Sequence, residues 1–412
     1  MPYSSNDSSS AQSDREHNVI SRQDQSSKRI YFPGLNSLRF IAASFVLVHH
    51  VEQIKSTQGY DNYFDNIFVH SIGGYSVTFF FVLSGFLITY LLLVEQKNTN
   101  TIDIKKFYIR RVLRIWPLYY LFAILSLVIL PQIQALNIPV WQNELEQNYF
   151  SQAFLYLTFL PNIALSFLGI IPHANQVWSI GVEEQFYLIW PLIVRFSRNI
   201  WQASCKIIGA YLFIKLITLA IVQYQGDSAQ YKYLLQWSEL MQYTRIDCMA
   251  IGAVGASLLY YHRQYLQPFY SYTSQYFLYT VSLLFLAVGG IKGGVLWHFN
   301  QQIFAIFSIL IILNIATNPK SLFKLENKTL DYLGRISYGL YMYHSLCIAI
   351  AIYLVNQFSN YSISSFMGNA IVYPLMLLMT IGFAAVSYHW IEQPFIRQKH
   401  KFAKVPSGSS PN

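Results

Sequence analysis

The feature that most constrains this chain is a succession of apolar segments, each about as long as a bilayer-crossing helix. Such a helix needs about 20 mostly apolar residues to cross a hydrocarbon core of roughly 30 Å. With 54% hydrophobic and 11% charged residues, the 412-residue chain has too few charges to cover a water-soluble protein of this size. The pattern predicts an all-α integral membrane protein, a bundle of about ten transmembrane helices with no separate soluble domain. The ten segments start near Leu35, Ile72, Ile115, Asn175, Cys205, Tyr243, Ser274, Gln301, Arg335 and Met367.

The two ends of the chain differ in composition from this apolar region. Residues 1–30 are rich in Ser, Gln, Asn and Asp and contain no apolar segment of the signal-peptide kind, so we expect a disordered N-terminal tail. Residues 31–398 form the predicted transmembrane domain, and residues 399–412 form a basic C-terminal tail. The three cysteines are far apart and form no CxxC pair, so they indicate neither a disulfide framework nor a metal site.

The positions of the basic residues predict how the chain is oriented in the membrane. Residues 150–171 are apolar but contain Pro161-Asn162, so they either span or form a re-entrant or surface-lying helix pair. If they do not span, 22 of the 28 Lys and Arg residues lie on the N-terminal side, three lie opposite and three lie within spans. This is the positive-inside pattern, which favours ten spans in an inner or plasma membrane with both termini cytoplasmic. The net charge of +9 therefore reflects topology, and we predict no nucleic-acid partner.

Two ionisable residues of the first predicted span occupy one helical face. Arg39 and His50 are eleven residues apart, and eleven steps of about 100° return to within about 20° of the same direction after a rise of about 16 Å. His49 points roughly a quarter turn away. Charged groups inside a membrane are costly and tend to be functional. Spacing alone leaves an alternative equally open, in which Arg39 extends to the membrane surface and His50 is a satisfied polar residue.

The residues around this pair resemble a known family. LNSLRFIAASFVLVHH, with arginine, ten residues and then histidine, is similar to the signature of the acyltransferase 3 family of polysaccharide O-acetylases. Further blocks agree in order, and the resemblance covers about residues 31–398, with departures at Phe40 and Gln393. These blocks are FFVLSGF at 80–86, RRVLRIWPLY at 110–119, WSIGVEEQFY at 178–187, RID at 245–247, GRISYGLYMYH at 334–344 and IEQPF at 391–395.

This resemblance implies an enzyme that moves an acyl group, usually acetyl, from cytoplasmic coenzyme A to a sugar hydroxyl across the membrane. His50 would act as general base or transient acyl carrier. Arg39 would hold the donor, because its guanidinium suits phosphate. Glu183 would orient His50 or bind the acceptor. The expected partners are acyl-CoA, a glycan and the bilayer, with no tightly bound cofactor and no metal.

Other residues of these blocks are candidates for binding the substrates. Arg111 and Arg114 match an RxxR motif that would meet the phosphates of coenzyme A, although basic residues at that position also anchor a helix at the cytoplasmic side. Ser84 and Gly85 are candidates for the donor site, but small residues often mark a close contact between membrane helices. The acceptor candidates are Trp178, Glu183, Arg245, Asp247 and His344.

Two other classes of function fit parts of this pattern. Intramembrane Arg, His and Glu residues also describe a proton-coupled transporter, although the chain shows no paired halves. A catalytically inactive relative would serve as a receptor or scaffold, but the spacing from Arg39 to His50 is intact. The sequence leaves open the acceptor, the acyl length and the oligomeric state.

Overall fold

The computed structural model describes residues 30–225, 231–359 and 361–405. Most of the expected N-terminal tail lies outside these residues. Within them the regular structure is helical, with no β-strand. The α-helices are α1 Leu35–Thr57, α2 Ile67–Thr99, α3 Ile104–Ile124, α4 Pro139–Leu157, α5 Pro161–Phe167, α6 Trp178–Phe196, α7 Ile200–Gln225, α8 Tyr231–Tyr243, α9 Ile246–Tyr261, α10 Tyr272–Ala287, α11 Gly294–Trp297, α12 Asn300–Thr317, α13 Lys328–Arg335, α14 Ser337–Phe358, α15 Phe366–Ser387 and α16 Gln393–Lys399.

Several of these helices are long and apolar enough to cross a bilayer. Six such stretches occur among the described residues: Ile67–Thr99, Ile104–Gln132, Ile200–Tyr224, Asn300–Thr317, Ser337–Phe358 and Phe366–Lys399. The four remaining predicted positions are occupied by α1, α6, α9 and α10. Of these, α9 and α10 have 16 residues each, which extend about 24 Å and fall short of a full hydrocarbon core. The chain is thus an all-helical, multi-pass membrane protein.

The ambiguous region 150–171 forms parts of two helices rather than one. Helix α4 ends at Leu157, and α5 begins at Pro161 after a turn in which Phe159 has a positive φ of 60°. Proline at a first helical position starts a helix readily but cannot continue the preceding one. Neither α4 nor α5 is among the stretches apolar and long enough to cross a membrane. Two helices separated by a turn are what the non-spanning alternative expects.

Helix α2 occupies the centre of the packing. It contacts α9 through two glycines, and a Cβ on Gly85 would lie 2.0 Å from the carbonyl oxygen of Met249. A Cβ on Gly252 would lie 2.1 Å from the carbonyl oxygen of Val82. Small residues allow helix backbones this close approach inside a membrane. Helix α2 also packs against α1 and α12, while α1 packs against α14.

A buried polar network fixes the C-terminal end of α1. Lys55 and Glu52, 0% and 1% exposed, form an ion pair of 3.0 Å. Lys55 also donates to Asn369 at 2.9 Å, and Tyr373 donates to Glu52 at 2.6 Å. Buried charges persist when they are paired and hydrogen-bonded in this way. The network holds α1 against α15 one turn beyond His50.

The beginning of α3 is joined to the C-terminal segment. Asp103 caps α3 by accepting from the backbone amide of Lys106 at 3.1 Å. This hydrogen bond lowers the pKa of the Asp103 carboxyl, and Lys404 lies 3.6 Å away. Arg110 donates to the carbonyl of Phe402 at 2.8 Å. Residues 399–405, expected to be part of a tail, therefore pack against α3.

Candidate active site

His50 meets a second histidine from the far end of the chain. Nε2 of His344 lies 3.2 Å from Nδ1 of His50, and the ring centroids are 4.8 Å apart. Nδ1 of His50 also lies 3.0 Å from the carbonyl oxygen of Val46. The other nitrogen of His344, Nδ1, lies 2.7 Å from the carbonyl oxygen of Tyr341. His344 is fully buried, whereas His50 is half-buried.

The neighbouring histidine, His49, belongs to a different contact. Its Nδ1 lies 2.9 Å from the carbonyl oxygen of Val69 on α2. Its ring packs so closely on Gly73 that a Cβ there would lie 2.5 Å from it. As expected from the quarter turn between them, the two histidines face different helices: His49 contacts α2 and His50 contacts α14.

Arg39 lies at the other end of α1 and has no acidic ion-pair partner among the residues that the structure describes. Its Nη1 donates to Asn36 Oδ1 at 2.8 Å, and Asn36 in turn donates to Asp331 at 2.8 Å. Within the described residues Arg39 takes part in no ion pair. Its charge interacts with those of Arg114, Arg111 and Glu183. The N-terminal end of α1 thus faces the cations of α3.

The three arginines of α3 have different environments. Arg110 is paired with Glu95 at 3.1 Å. The Arg111 guanidinium lies 5.5 Å from the ring centroids of both Phe107 and Tyr187, and its buried Nε has no partner in the described chain. Arg114 is exposed and forms no ion pair with the described residues. Among the three arginines of α3, Arg111 and Arg114, the RxxR pair, therefore form no ion pair with the described residues and can meet an anion.

Lys399 adds a further cation that sequence analysis missed. It lines one pocket with Arg110 and Arg111, between α2, α3 and the C-terminal segment. Its charge also interacts with that of Arg39. Nothing in the sequence signals this position, because it depends on residues 399–405 folding back onto α3. We use the term cation cluster for Arg39, Arg111, Arg114 and Lys399.

Glu183 lies beside the cation cluster and is not a partner of His50. Ser84 donates to its Oε1 at 2.8 Å, and Tyr187 donates to its Oε2 at 3.0 Å. Its charge interacts with Arg114 and Arg111. The hydrogen bonds of His50 are with Val46 and His344, so no hydrogen bond joins Glu183 to His50 in the described chain. Tyr187 was missed, although its place four residues after Glu183 puts both on one helical face.

Ser84 and Gly85 have separate roles. Ser84 holds Glu183 beside the arginines. Gly85 has no room for a ligand, because the backbone of Met249 occupies the space beside its Cα. Gly85 therefore lies at a close contact between α2 and α9, and its Cα faces the helix backbone and not a donor site.

Arg245 and Asp247 bond to different helices, as their spacing indicates. Arg245 donates to the Gly74 carbonyl at 2.8 Å and to Thr78 at 3.0 Å, both on α2. Asp247 accepts from Gln302 of α12 at 2.7 Å, while its other oxygen has no partner in the described chain. Arg245, 8% exposed, and the fully buried Asp247 hold α2, α9 and α12 together, so contact with an acceptor is not their evident role.

Trp178 is a core residue rather than an open surface for a sugar ring. It is 8% exposed, and the Arg245 guanidinium lies 5.5 Å from its ring centroid. Phe81 and Tyr243 pack around the same ring, with centroid distances of 5.9 and 5.0 Å. The expectation that Trp178 binds the acceptor is therefore not supported by its surroundings.

Helix α14 connects the cation cluster to the histidine pair. Tyr338 donates to the carbonyl of Ile115 on α3 at 3.0 Å. One turn later, Tyr341 shares a hydrogen bond of 2.8 Å with Ser179 on α6, and its ring centroid lies 5.7 Å from that of His344. Helix α14 therefore contacts α3 next to Arg114 through Tyr338 and meets His50 of α1 through His344, six residues further on.

Comparisons with known proteins show what the chain is similar to. The chain is 26% identical over 402 residues to O-acetyltransferase OatA of Staphylococcus aureus strain MRSA252, covering 92% of this chain and 60% of that protein. It is 26% identical over 398 residues to the OatA of strain NCTC 8325 / PS 47, covering 91% of this chain and 59% of that protein. The chain thus spans about 60% of the length of these curated relatives. No solved structure matches.

A family model gives the assignment. Residues 32–389 match the model described as an acyltransferase domain, which is nearly the whole helical region. The match includes Arg39, His50, Glu183 and His344. The chain therefore belongs to the acyltransferase 3 family.

Proposed function

We propose that this protein transfers an acyl group, most simply acetyl, from acyl-CoA to a hydroxyl of a glycan. The observation that carries the proposal is that α1 carries Arg39 of the cation cluster near one end and, eleven residues further on, His50, which is paired with His344. A phosphate-bearing donor held at the cluster has its reactive end directed toward a histidine about 16 Å away along α1. The relatives named O-acetyltransferase favour acetyl as the group transferred.

The charges of the cation cluster favour an anionic donor. Arg39, Arg111, Arg114 and Lys399 form no ion pair with the described residues. Glu183 lies beside the cluster but forms an ion pair with none of its four cations in the described chain, and an added anion would stabilise the group. Arginine and lysine bind phosphate by charge-assisted hydrogen bonds. The phosphates of coenzyme A supply the anions that this cluster needs.

His50 provides the group that reacts. As a general base, it accepts the proton of the acceptor hydroxyl while the hydroxyl oxygen attacks the thioester carbonyl carbon. The carbon–sulfur bond breaks, and the proton passes from His50 to the departing sulfur, which gives an ester and free coenzyme A. As an acyl carrier, His50 attacks the thioester first and passes the acyl group to the hydroxyl, whose proton again ends on sulfur.

This function requires the two ends of α1 to face opposite sides of the membrane. We propose ten spans with both termini cytoplasmic, which opens the cation cluster to cytoplasmic acyl-CoA. Helices α4 and α5 then lie on the outer side without crossing. This arrangement keeps 22 of the 28 basic residues on the cytoplasmic side, as the positive-inside rule expects. The acceptor meets His50 from the outer side.

The proposal is tested with purified protein in lipid vesicles and acetyl-CoA labelled in the acetyl group. We expect free coenzyme A to appear together with label in an alkali-labile ester of an added glycan acceptor. Variants of His50 are compared with His262→Ala, which removes a histidine at an exposed position on a loop. A proton-coupled transporter would instead accumulate a substrate in response to a pH gradient and leave acetyl-CoA intact. That outcome would overturn the proposal.

A further inference from the structure

We propose that His344 is a positioning residue that fixes Nε2 of His50 as the nitrogen that reacts. The inference rests on the proposed function, because it assumes that His50 performs the chemistry. It goes further in assigning a role to a histidine 294 residues away in sequence. It also predicts which of the two nitrogens of His50 takes the proton or the acyl group.

The hydrogen bonds of His344 define its tautomer. Its Nδ1 lies 2.7 Å from the carbonyl oxygen of Tyr341, and a carbonyl oxygen can only accept. Nδ1 of His344 therefore carries the hydrogen. In a neutral imidazole the other nitrogen then holds a lone pair, so Nε2 of His344 is an acceptor directed at His50.

The same reasoning applies to His50. Its Nδ1 is 3.0 Å from the Val46 carbonyl oxygen and 3.2 Å from Nε2 of His344, and both of these partners accept. Nδ1 of His50 must therefore donate, and Nε2 holds the lone pair. A base or a nucleophile needs this free lone pair. Nε2 has no hydrogen-bond partner within the described part of the chain, which leaves it available to a substrate.

His344 also acts when His50 becomes charged. After Nε2 of His50 has taken a proton or an acyl group, the ring is a cation that still carries hydrogen on Nδ1. Hydrogen bonds to charged groups are stronger than those between neutral groups. The Nε2 lone pair of His344 therefore stabilises the reacting state more than the resting state, which accelerates the reaction.

Burial makes His344 suitable for this role. It is fully buried on α14, and its partner Tyr341 is held by the 2.8 Å hydrogen bond to Ser179. Because these contacts fix the ring, His344 is available to His50 and closed to an acceptor. This assignment replaces the expectation that His344 binds the acceptor. A purely structural histidine would contribute to folding and leave the rate of the folded protein unchanged.

The kinetic test compares His344→Phe with His344→Gln in vesicles. Phenylalanine fills the space but cannot accept a hydrogen bond, whereas the amide oxygen of glutamine can accept near the position of Nε2. We expect His344→Phe to lower kcat about 10- to 100-fold, with KM for acetyl-CoA within about twofold. His344→Gln should recover most of the lost kcat. Equal kcat values in the wild type and both variants would overturn the inference.

A spectroscopic test uses the wild-type protein, so it stands even if His344→Phe fails to fold. The protein is labelled with ¹⁵N-histidine in lipid bilayers, and the His50 signals are assigned by their loss in His50→Asn. We expect neutral His50 to carry hydrogen on Nδ1 and not on Nε2. Hydrogen on Nε2 would overturn the inference. If His50→Asn is inactive and the kinetic or the spectroscopic test gives its overturning result, the role of His344 is wrong but the proposed function stands. If His50→Asn is active, the proposed function itself is wrong.

Discussion

At the scale of single residues, substitution of Arg39 tests whether this arginine binds the donor or only anchors α1 at the membrane surface. We predict that Arg39→Ala raises KM for acetyl-CoA about tenfold or more, because a charge-assisted hydrogen bond to phosphate is lost. Asn36 keeps its own hydrogen bond to Asp331, so the start of α1 should remain in place. Initial rates at varied acetyl-CoA concentration measure the effect.

Arg335→Ala is the matched control for Arg39. Arg335 is also an arginine near the start of a long helix, but it is 40% exposed and lies 3.5 Å from Asp331. Its removal should leave KM for acetyl-CoA unchanged, because an exposed pair contributes little. A similar KM change in both variants would indicate a general loss of positive charge and would contradict a specific donor site at Arg39.

Part of the candidate site could be predicted from the sequence. Helical periodicity places Arg39 and His50 on one face, and the resemblance to the acyltransferase 3 family selects them, with Arg111 and Arg114, as site candidates. The partner of His50 could not be predicted, because it depends on the packing of α14 against α1 across 294 residues. The same holds for the hydrogen-bond partners of Glu183, which are Ser84 and Tyr187. Periodicity gives the face of a helix but not the helix that the face meets.

At the scale of helices, the contact between α2 and α9 depends on a glycine. We predict that Gly85→Ala destabilises the protein by about 1–3 kcal/mol or more, since the added Cβ would lie 2.0 Å from a backbone oxygen that cannot rotate away. Thermal unfolding in detergent measures this as a lower Tm. The RID block at residues 245–247 should be disturbed as well, because Arg245 binds to α2 at Gly74 and Thr78.

Gly209→Ala provides the comparison for this substitution. Gly209 lies in α7, and a Cβ there meets nothing within 4 Å. Alanine favours a helix over glycine by up to about 1 kcal/mol, so Tm should stay the same or rise. An equal loss of Tm in both variants would show that the space beside Gly85 is not the cause.

At the scale of the whole molecule, the positions of helices were more predictable than the number of spans. All ten predicted segments are helices, because long apolar segments in a membrane must satisfy their backbone hydrogen bonds internally. Six are long and apolar enough to cross. The other four are short or carry polar groups such as Arg39 and Lys55. Lys55 pairs with Glu52 of its own helix and also donates to Asn369 of α15, a partner that sequence alone cannot supply.

The orientation of the later helices can be tested by cysteine labelling in intact cells. In a Cys205→Ser background, Arg263→Cys should resist a membrane-impermeant maleimide, because ten spans place that loop in the cytoplasm. Tyr63→Cys, on the loop between α1 and α2, should react. The two remaining cysteines, Cys248 and Cys347, are buried. Labelling of both introduced cysteines would mean that residues 150–171 span the membrane, contrary to the ten-span proposal.

The most direct test of the central claim compares two adjacent histidines. His50 and His49 have the same chemistry, but His50 contacts His344 of α14, whereas His49 bonds to the carbonyl of Val69 on α2. The measurement is the rate of acetyl transfer from labelled acetyl-CoA by His50→Gln and His49→Gln, each confirmed as folded by its Tm. We predict no detectable transfer by His50→Gln and at least a tenth of the wild-type rate with His49→Gln. Transfer at the wild-type rate by His50→Gln would contradict the account.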